Sequence, residues 1–259
     1  MKRKETARVI SQERISGDIC SLVLSVTFAG DVSAGQFVSL FPHGKEKLLP
    51  RPISVCAADA AAGTIWLVYR VAGKGTKEFS QLIRGDEVEV MGPLGHGFPL
   101  EEARGKRVLL IGGGIGIPPL LFCAKALKGS ADVTAAAGYR SDSTYLLEEL
   151  EALCDVLVST DDGSMGVHGT VLDAVRADGR KADLIFACGP RVMLRAVKEY
   201  AAEHGIRAYV SMEERMACGV GVCLGCVCTT TAEDAHSHVH NARVCTEGPV
   251  FAAEEVDLS

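Results

Sequence analysis

The apolar pattern changes about a hundred residues into the chain, and the two patterns demand different sheets. Before that point apolar residues gather in short stretches, at 7–10, 19–28, 36–41, 53–57, 64–70 and 87–91, rich in Val, Ile, Leu or Phe. Turn residues separate them, among them Gly17-Asp18, Gly30-Asp31, Ala34-Gly35 and Gly85-Asp86. Short strands at that spacing predict a small antiparallel barrel. A helix over 76–83 interrupts it, with Thr76 as its cap and Gly85 beyond its end. The Gly- and Pro-rich stretch 92–99 reads as a domain boundary. After Glu101, strands at 107–111, 132–137, 155–159, 183–187 and 206–210 alternate with helical stretches at 119–127, 144–153, 170–176 and 191–204. That alternation predicts a parallel sheet with helices on both faces. From Glu213 onward, regular pattern gives way to Cys and Gly, so a bound centre is expected to order the segment. Three units are expected, at 1–99, 100–211 and 212–259.

Charge and hydropathy exclude some roles. The formal net charge is −6 and no basic stripe appears, which disfavours binding of nucleic acid. A transmembrane helix needs about 18 apolar residues in a row. The apolar runs here, such as 108–111 and 120–124, are far shorter, and the basic start at 1–8 is not followed by the apolar core of an export signal. No membrane association and a cytoplasmic location are expected. The cysteines agree with a reducing compartment. Cys20, Cys56, Cys123, Cys154 and Cys188 lie singly, whereas Cys218, Cys223, Cys226, Cys228 and Cys245 cluster, as metal ligands do in such a compartment.

The spacing Cys218-x4-Cys223-x2-Cys226, followed at a distance by Cys245, is that of plant-type 2Fe–2S proteins. Four thiolates must converge on two irons, and three from one tight loop fix most of the geometry. Gly219, Gly221 and Gly225 let backbone N–H groups approach the sulfurs. A structural zinc site is the competing reading, for which paired C-x2-C units are expected. Cys228 stands open as a rival fourth ligand or as a buried free thiol. His236, His238 and His240, at period two, would share one face of a strand and suit a second metal; a solvated hairpin tip is the plainer reading.

Two further patterns suit phosphate. The loop Ile111-Gly112-Gly113-Gly114-Ile115-Gly116-Ile117-Pro118-Pro119 follows a buried strand and opens a helix, where free N–H groups and a partial positive charge meet an anion. It departs from G-x-G-x-x-G at the two prolines, and a tight structural turn is the alternative. In the barrel, Arg51-Pro52-Ile53-Ser54 enters a strand and Gly73-Lys74-Gly75-Thr76 leads into the helix, a second phosphate site. Cys188-Gly189-Pro190 sits at the carboxyl end of a parallel strand, the edge where such sheets bind ligands. Two phosphate sites in two domains suggest two nucleotides.

Together these residues resemble the ferredoxin–NADP reductase superfamily and, within it, the electron-transfer subunits of dihydroorotate dehydrogenase B. The likeness is carried by Arg51 to Ser54, Val68-Tyr69-Arg70, Gly75-Thr76, the Gly112 to Pro119 loop, Asp162-Gly163-Ser164, Cys188 to Pro190, and the stretches 213–218 and 244–251. The gap from Cys226 to Cys245 is longer than that family's pattern. The resemblance implies a multi-domain α/β plus β chain: an antiparallel FAD-binding β-barrel, a parallel-sheet nucleotide-binding domain and a small C-terminal 2Fe–2S domain. FAD is expected on Arg51, Pro52, Ile53, Ser54, Val68, Tyr69, Arg70, Gly75 and Thr76, with Arg51 at the pyrophosphate and Ser54 by the flavin ring. NAD, the exchangeable acceptor, is expected along Gly112, Gly113, Gly114, Gly116, Cys188, Gly189 and Pro190, with Cys188 toward the nicotinamide. Cys218, Cys223, Cys226 and Cys245 would hold the cluster.

The implied partner is a separate FMN-containing dihydroorotate dehydrogenase catalytic subunit, two copies of each chain forming a heterotetramer. The implied path runs from dihydroorotate through FMN, cluster and FAD to NAD, in pyrimidine biosynthesis. Nicotinamide exchanges a hydride and a 2Fe–2S cluster a single electron; a flavin does both and stands between them. The base toward dihydroorotate belongs to the partner, so no catalytic acid or base is expected in this chain. Two alternatives stay open: a diaphorase-type NAD(P)H reductase subunit serving another redox partner such as ferredoxin, and a zinc-stabilised nucleotide-binding regulator. Arg140 and Ser141, after a strand near the expected ribose site, leave NADP open as well.

Overall fold

The structure, a computed structural model, describes residues 2–44, 48–233 and 238–259. Strands β1 (Arg3–Ser16), β2 (Ile19–Ser25), β3 (Phe37–Phe41), β4 (Arg51–Asp59) and β5 (Thr64–Arg70) precede a short helix, α1 (Lys74–Phe79), and strand β6 (Glu87–Leu94). They close into a barrel in the order β1-β2-β5-β4-β3-β6, with every pairing antiparallel. Closure removes the exposed edges of an open sheet. Alternation along each strand decides what fills the interior: Leu22 and Leu24 of β2, Val38 and Leu40 of β3, and Ile65 and Leu67 of β5 are sealed from solvent.

Two barrel elements differ from the sequence expectation. β1 extends well beyond 7–10 because Gln12, Glu13 and Arg14 pair with Leu22, Ser21 and Cys20 of β2. A register shift between Val9 and Ser11 breaks the alternation that would have marked this half as strand. α1 begins before Thr76 and ends at Phe79 rather than at 83. Past it, Asp86 accepts a hydrogen bond from the Ile83 N–H at 2.9 Å, which holds a turn there.

The second unit runs β7 (Arg107–Gly113), α2 (Ile117–Leu127), β8 (Asp132–Tyr139), α3 (Leu147–Glu151), β9 (Asp155–Thr160), β10 (Val167–His168), α4 (Val171–Asp178), β11 (Leu184–Cys188), α5 (Arg191–His204) and β12 (Arg207–Ser211). After it come the short strands β13 (Val227–Thr229), β14 (Asn241–Arg243) and β15 (Val250–Ala252). The large sheet has the order β10-β9-β8-β7-β11-β12-β15, parallel throughout except for the last pair. Its central strand, β7, is apolar on both faces, as a parallel strand covered by helices must be. From β7 the chain winds outward to β10, then returns to lay β11 on the other side of β7. The order therefore reverses between β7 and β11, and the carboxyl ends at such a reversal are where open α/β sheets bind ligands.

The segment beyond β12 returns to this sheet. β15 pairs antiparallel with β12, Phe251 opposite Val210. Three cations of α5 then hold the following backbone: Arg191, Arg195 and Lys198 donate to the carbonyls of Asp257, Leu258 and Val256 at 3.1, 2.7 and 2.6 Å.

The barrel shares apolar core with both other parts. Cys56 of β4 and Val68 of β5 belong to one cluster with Ile117, Leu120 and Leu121 of α2. Phe37 of β3 and Leu94 of β6 belong to another, with Cys226, Cys228, Val244 and Cys245. Among the described residues, no helix is long and apolar enough to cross a membrane.

Phe251 tests the role of β15, since it is buried among these residues. Phe251→Ala is expected to cost about 3 kcal/mol, the scale for removing a core aromatic ring, read as a lower urea midpoint. A change under about 0.5 kcal/mol, the scale of a surface substitution, would show that the strand is peripheral.

Candidate functional site

The cysteine loop is ordered by its own backbone. The N–H groups of Val220, Val222 and Cys223 all donate to the Cys218 sulfur, at 3.4, 3.3 and 3.4 Å, and the Gly225 N–H donates to the Cys223 sulfur at 3.4 Å. Burial opposes ionisation of Cys218, but the N–H donors from Val220, Cys223 and Val222, together with the Cys223 thiol, outweigh it and bring the thiol down to about 6. Cys245 goes the other way: burial, then the adjoining Cys226 sulfur, push its thiol up to about 11.

Cys218 neighbours Cys223, and Cys245 adjoins Cys226 with the Cys218 charge also acting on it, so the four thiols gather in one region. Four thiolates, three of them on one loop at C-x4-C-x2-C spacing, are the donor set of a plant-type 2Fe–2S centre. The donor set therefore fits a 2Fe–2S cluster. Cys228 is buried in β13 opposite Ala242, where burial raises its thiol. His238 pairs with Glu233 at 3.2 Å and His240 is exposed, while His236 lies outside the described residues.

The loop is seated on the barrel. A Cβ placed on Gly219 would stand 3.1 Å from the Ser39 hydroxyl and 3.4 Å from a Leu94 methyl. Ser39 is on β3, and its backbone partner across the ladder is Pro52 of β4. Adjacent strands are about 4.8 Å apart. The cysteine loop thus lies one strand away from the Arg51 to Ser54 stretch.

At that stretch Arg51 opens β4 and lies across Gly75. A Cβ on Gly75 would stand 2.7 Å from Arg51 Nε, so only glycine leaves the guanidinium in place. Arg51 Nη1 donates to the carbonyls of Leu49 and Pro50 at 2.6 and 3.3 Å. Pro52 and Ser54 are half-buried along the same strand. Ile53 and Tyr69 point into the barrel core, with the Tyr69 hydroxyl donating to Gln12 at 3.3 Å, and Val68 packs in the core shared with α2. The Thr76 hydroxyl is used locally, accepting from the Ala72 and Gly73 N–H groups at 3.0 and 3.1 Å. Arg70 reaches the other way: Nε faces Asp18 at 3.4 Å, and Nη2 is 3.8 Å from where a Gly114 Cβ would be.

The glycine loop fills the reversal between β7 and β11, where Gly112 pairs with Cys188. A Cβ on Gly116 would lie 2.0 Å from the Cys188 carbonyl oxygen, and one on Gly113 would lie 2.6 Å from the Met193 sulfur. Gly112 abuts Ile117 and Leu120, and Gly189 abuts Met193, so these four glycines pack against protein. Gly114 differs. Its backbone is left-handed, at φ +51°, and the space beside it is open apart from Arg70. Pro118 and Pro119 occupy the first turn of α2, where no N–H partner is required. Burial pushes the Cys188 thiol up to about 12, against the lowering effect of the Ser211 hydroxyl and with the charge of Glu213. Pro190 begins the turn into α5.

Comparison with known proteins decides the family. Residues 213–257 match the iron–sulfur cluster binding domain of dihydroorotate dehydrogenase B, and residues 6–98 match the oxidoreductase FAD-binding domain. The dihydroorotate dehydrogenase B (NAD(+)) electron transfer subunit of Listeria monocytogenes serotype 4b (strain F2365) is 43% identical over 255 residues, 97% of this chain and 98% of that one. Its counterpart in Bacillus cereus (strain B4264) is 40% identical over 263 residues, 100% of each chain. The chain belongs to the family of dihydroorotate dehydrogenase B electron-transfer subunits. A solved structure of an NADH-dependent reduced ferredoxin–NADP oxidoreductase, studied for flavin-based electron bifurcation, superposes with a TM-score of 0.87 at 31% identity, covering 97% of this chain and 90% of that one.

Sequence reasoning missed several residues of this electron-transfer subunit. Ser211 and Glu213 adjoin Cys188, and only their place at the end of the strand next to β11 could have shown it. Tyr145 is buried with no partner for its hydroxyl among the described residues, in a loop whose Ser143 meets Ser16 of the barrel at 2.9 Å. A lone tyrosine carries no signal for that.

Two measurements test these placements. Arg51→Ala is expected to weaken FAD affinity about 10- to 150-fold, the equivalent of one charge-assisted hydrogen bond, while iron content holds. Unchanged flavin affinity by titration would remove Arg51 from the site. Gly114→Val puts a branched side chain in the open space beside a left-handed backbone. Stopped-flow reduction of the flavin by NADH is expected to slow at least tenfold, and a wild-type rate would leave the loop as a turn.

Proposed function

We propose that the chain passes electrons between a separate catalytic subunit carrying FMN and NAD, so that dihydroorotate oxidation on the partner is coupled to NAD reduction here. When bound, the cluster exchanges single electrons, the flavin converts between one- and two-electron transfer, and NAD accepts a hydride. The observation that carries the reading is the convergence on β4. Arg51 to Ser54 lie on it, the cysteine loop sits on the neighbouring strand, and α2, which follows the glycine loop, shares core with it.

The roles of this chain's residues follow. Arg51, held by two carbonyls across Gly75, would bind the flavin's pyrophosphate, and Ser54 would donate to its ring. Gly114 would admit the nicotinamide nucleotide's phosphates beside Arg70. Cys188, neutral at physiological pH, would border the nicotinamide without adding charge. Asp161 and Asp162 follow β9, beside Tyr139 and Arg140, whose carbonyls accept their N–H groups at 3.1 and 3.3 Å. Carboxylates there would repel a 2′-phosphate, which favours NAD over NADP. Cytoplasmic residence and a heterotetramer with two copies of each subunit belong to the same proposal.

The cysteine loop supports docking of the catalytic subunit. Val222 and Leu224, on either side of the exposed Cys223, are 80% and 62% exposed. Leu224 also holds a left-handed φ of +55°, costly for a branched side chain. Apolar side chains displayed beside a redox centre suit a protein partner. A ferredoxin partner is the second reading, favoured by the 31% identical ferredoxin–NADP oxidoreductase.

Cys223→Ser is the test. It is expected to lose the 2Fe–2S electron paramagnetic resonance signal, keep FAD, and still oxidise NADH with a soluble dye. Mixed with the FMN subunit, it is expected to couple dihydroorotate oxidation to NAD reduction at least 100-fold more slowly than wild type. Normal coupling would remove the cluster from the route. Coupling of the wild-type chain to ferredoxin but not to the FMN subunit would favour the second reading.

A further inference from the structure

Two hydroxyls beside the cysteine loop are sealed from solvent and have no hydrogen-bond partner among the described residues: Ser39 Oγ and Thr246 Oγ1. Burying a hydroxyl without a partner is unfavourable, and each such group in a folded protein calls for an explanation. Neither is a random core residue. Ser39 is fully buried, and the side chains before and after it on β3, Val38 and Leu40, fill the barrel interior. By the alternation of a strand, Ser39 projects outward. It meets the loop at Gly219, next to Cys218, with Leu94 and Met91 as apolar walls. Thr246 follows Cys245 in the chain, and its hydroxyl is 3.1 Å from where a Gly221 Cβ would stand.

Both hydroxyls therefore lie against the stretch between Cys218 and Cys223, Ser39 at Gly219 and Thr246 at Gly221. What both lack is an acceptor, and a bound cluster supplies acceptors there, because its thiolate and sulfide sulfurs carry negative charge. We infer that Ser39 and Thr246 donate hydrogen bonds to the sulfurs of the 2Fe–2S centre and so raise its reduction potential. The direction follows from charge. The reduced centre holds one more electron, so a donor stabilises it more than the oxidised centre. The apolar walls beside Ser39 strengthen that difference, since little solvent screens it. The inference rests on the 2Fe–2S reading of the four cysteines.

The test is a redox titration of the iron-loaded chain followed by electron paramagnetic resonance, independent of turnover. Ser39→Ala and Thr246→Val remove the hydroxyls with little change in shape. The double variant is expected to shift the reduced-to-oxidised ratio about tenfold toward oxidised at a fixed potential, a midpoint about 59 mV lower for one electron. Each single variant is expected to account for part of the shift. Ser39→Thr and Thr246→Ser, which keep a hydroxyl, are expected to retain the wild-type midpoint. A double variant with normal iron content and an unmoved midpoint would overturn the inference, as would an equal shift in the hydroxyl-keeping variants. If the double variant takes up no iron, the unmutated loaded protein decides. Pulsed resonance after exchange into D2O is expected to show deuterons coupled to the reduced centre beyond those of the backbone N–H donors, and none beyond that set would overturn it. Absence of any 2Fe–2S signal in the wild-type chain would instead overturn the cluster reading itself.

Discussion

Strand β4 is the element that two other parts of the molecule press upon. One neighbour, β3, carries the cysteine loop on its outward face, and α2 packs on the other side through a core that includes Cys56 and Val68. A strand fixed by ladders on both sides cannot drift, so distances from Arg51 to the cysteines and to the glycine loop are set by the barrel's register. The helix and the cysteine loop are each held by side-chain packing against a rigid wall, which makes the spacing a property of the fold and not of mobile linkers. Electron transfer, which falls away with separation, requires such fixed spacing.

The polar groups around the sites obey a different logic from those in the cores. Elsewhere buried hydrogen-bonding groups are paired, as with the Tyr139 hydroxyl on the Tyr145 carbonyl. The side-chain exceptions among the described residues are Ser39, Tyr145, Ser159 and Thr246, while Arg70 Nε has only its ion pair with Asp18 at 3.4 Å. Ser39 and Thr246 adjoin the cysteine loop. Unsatisfied groups of this kind are tolerated where something else will satisfy them. The Cys188 carbonyl shows the complementary case, approaching Gly116 so closely that no side chain fits between.

How legible this was in the sequence depends on whether a feature is local. The parallel sheet could be read because mostly apolar runs at 107–111, 132–137, 155–159 and 183–187 alternate with helical stretches, and β7, β8, β9 and β11 fall on those runs; the two-residue β10 left no such mark. The cysteine loop could be read because three ligands lie within nine consecutive residues, 218–226. Long-range pairing could not. The polar half of β1 is strand only because β2 lies beside it, and β15 is too short to carry a period. Within the barrel, the Arg51 to Ser54 motif identified the strand but not the orientation of each side chain. Ile53 turns into the core while Arg51 folds over Gly75. The likeness of Ser39 to any other strand serine hides its position, because the loop it meets is remote in the chain.

The return of β15 to the sheet bears on how the chain can be made. β12 is synthesised before the cysteine loop, yet its outer edge is covered by a strand that comes after that loop. During translation the sheet would hold an unpaired apolar edge, the arrangement most prone to pair with another chain. Closure of that edge draws the two ends of the cysteine segment together, so the stretch between is confined to a loop whose ends are already anchored. The Met212 N–H donating to the Pro249 carbonyl at 2.8 Å marks where those ends meet, so the sheet brings the cysteine ligands together before any metal arrives.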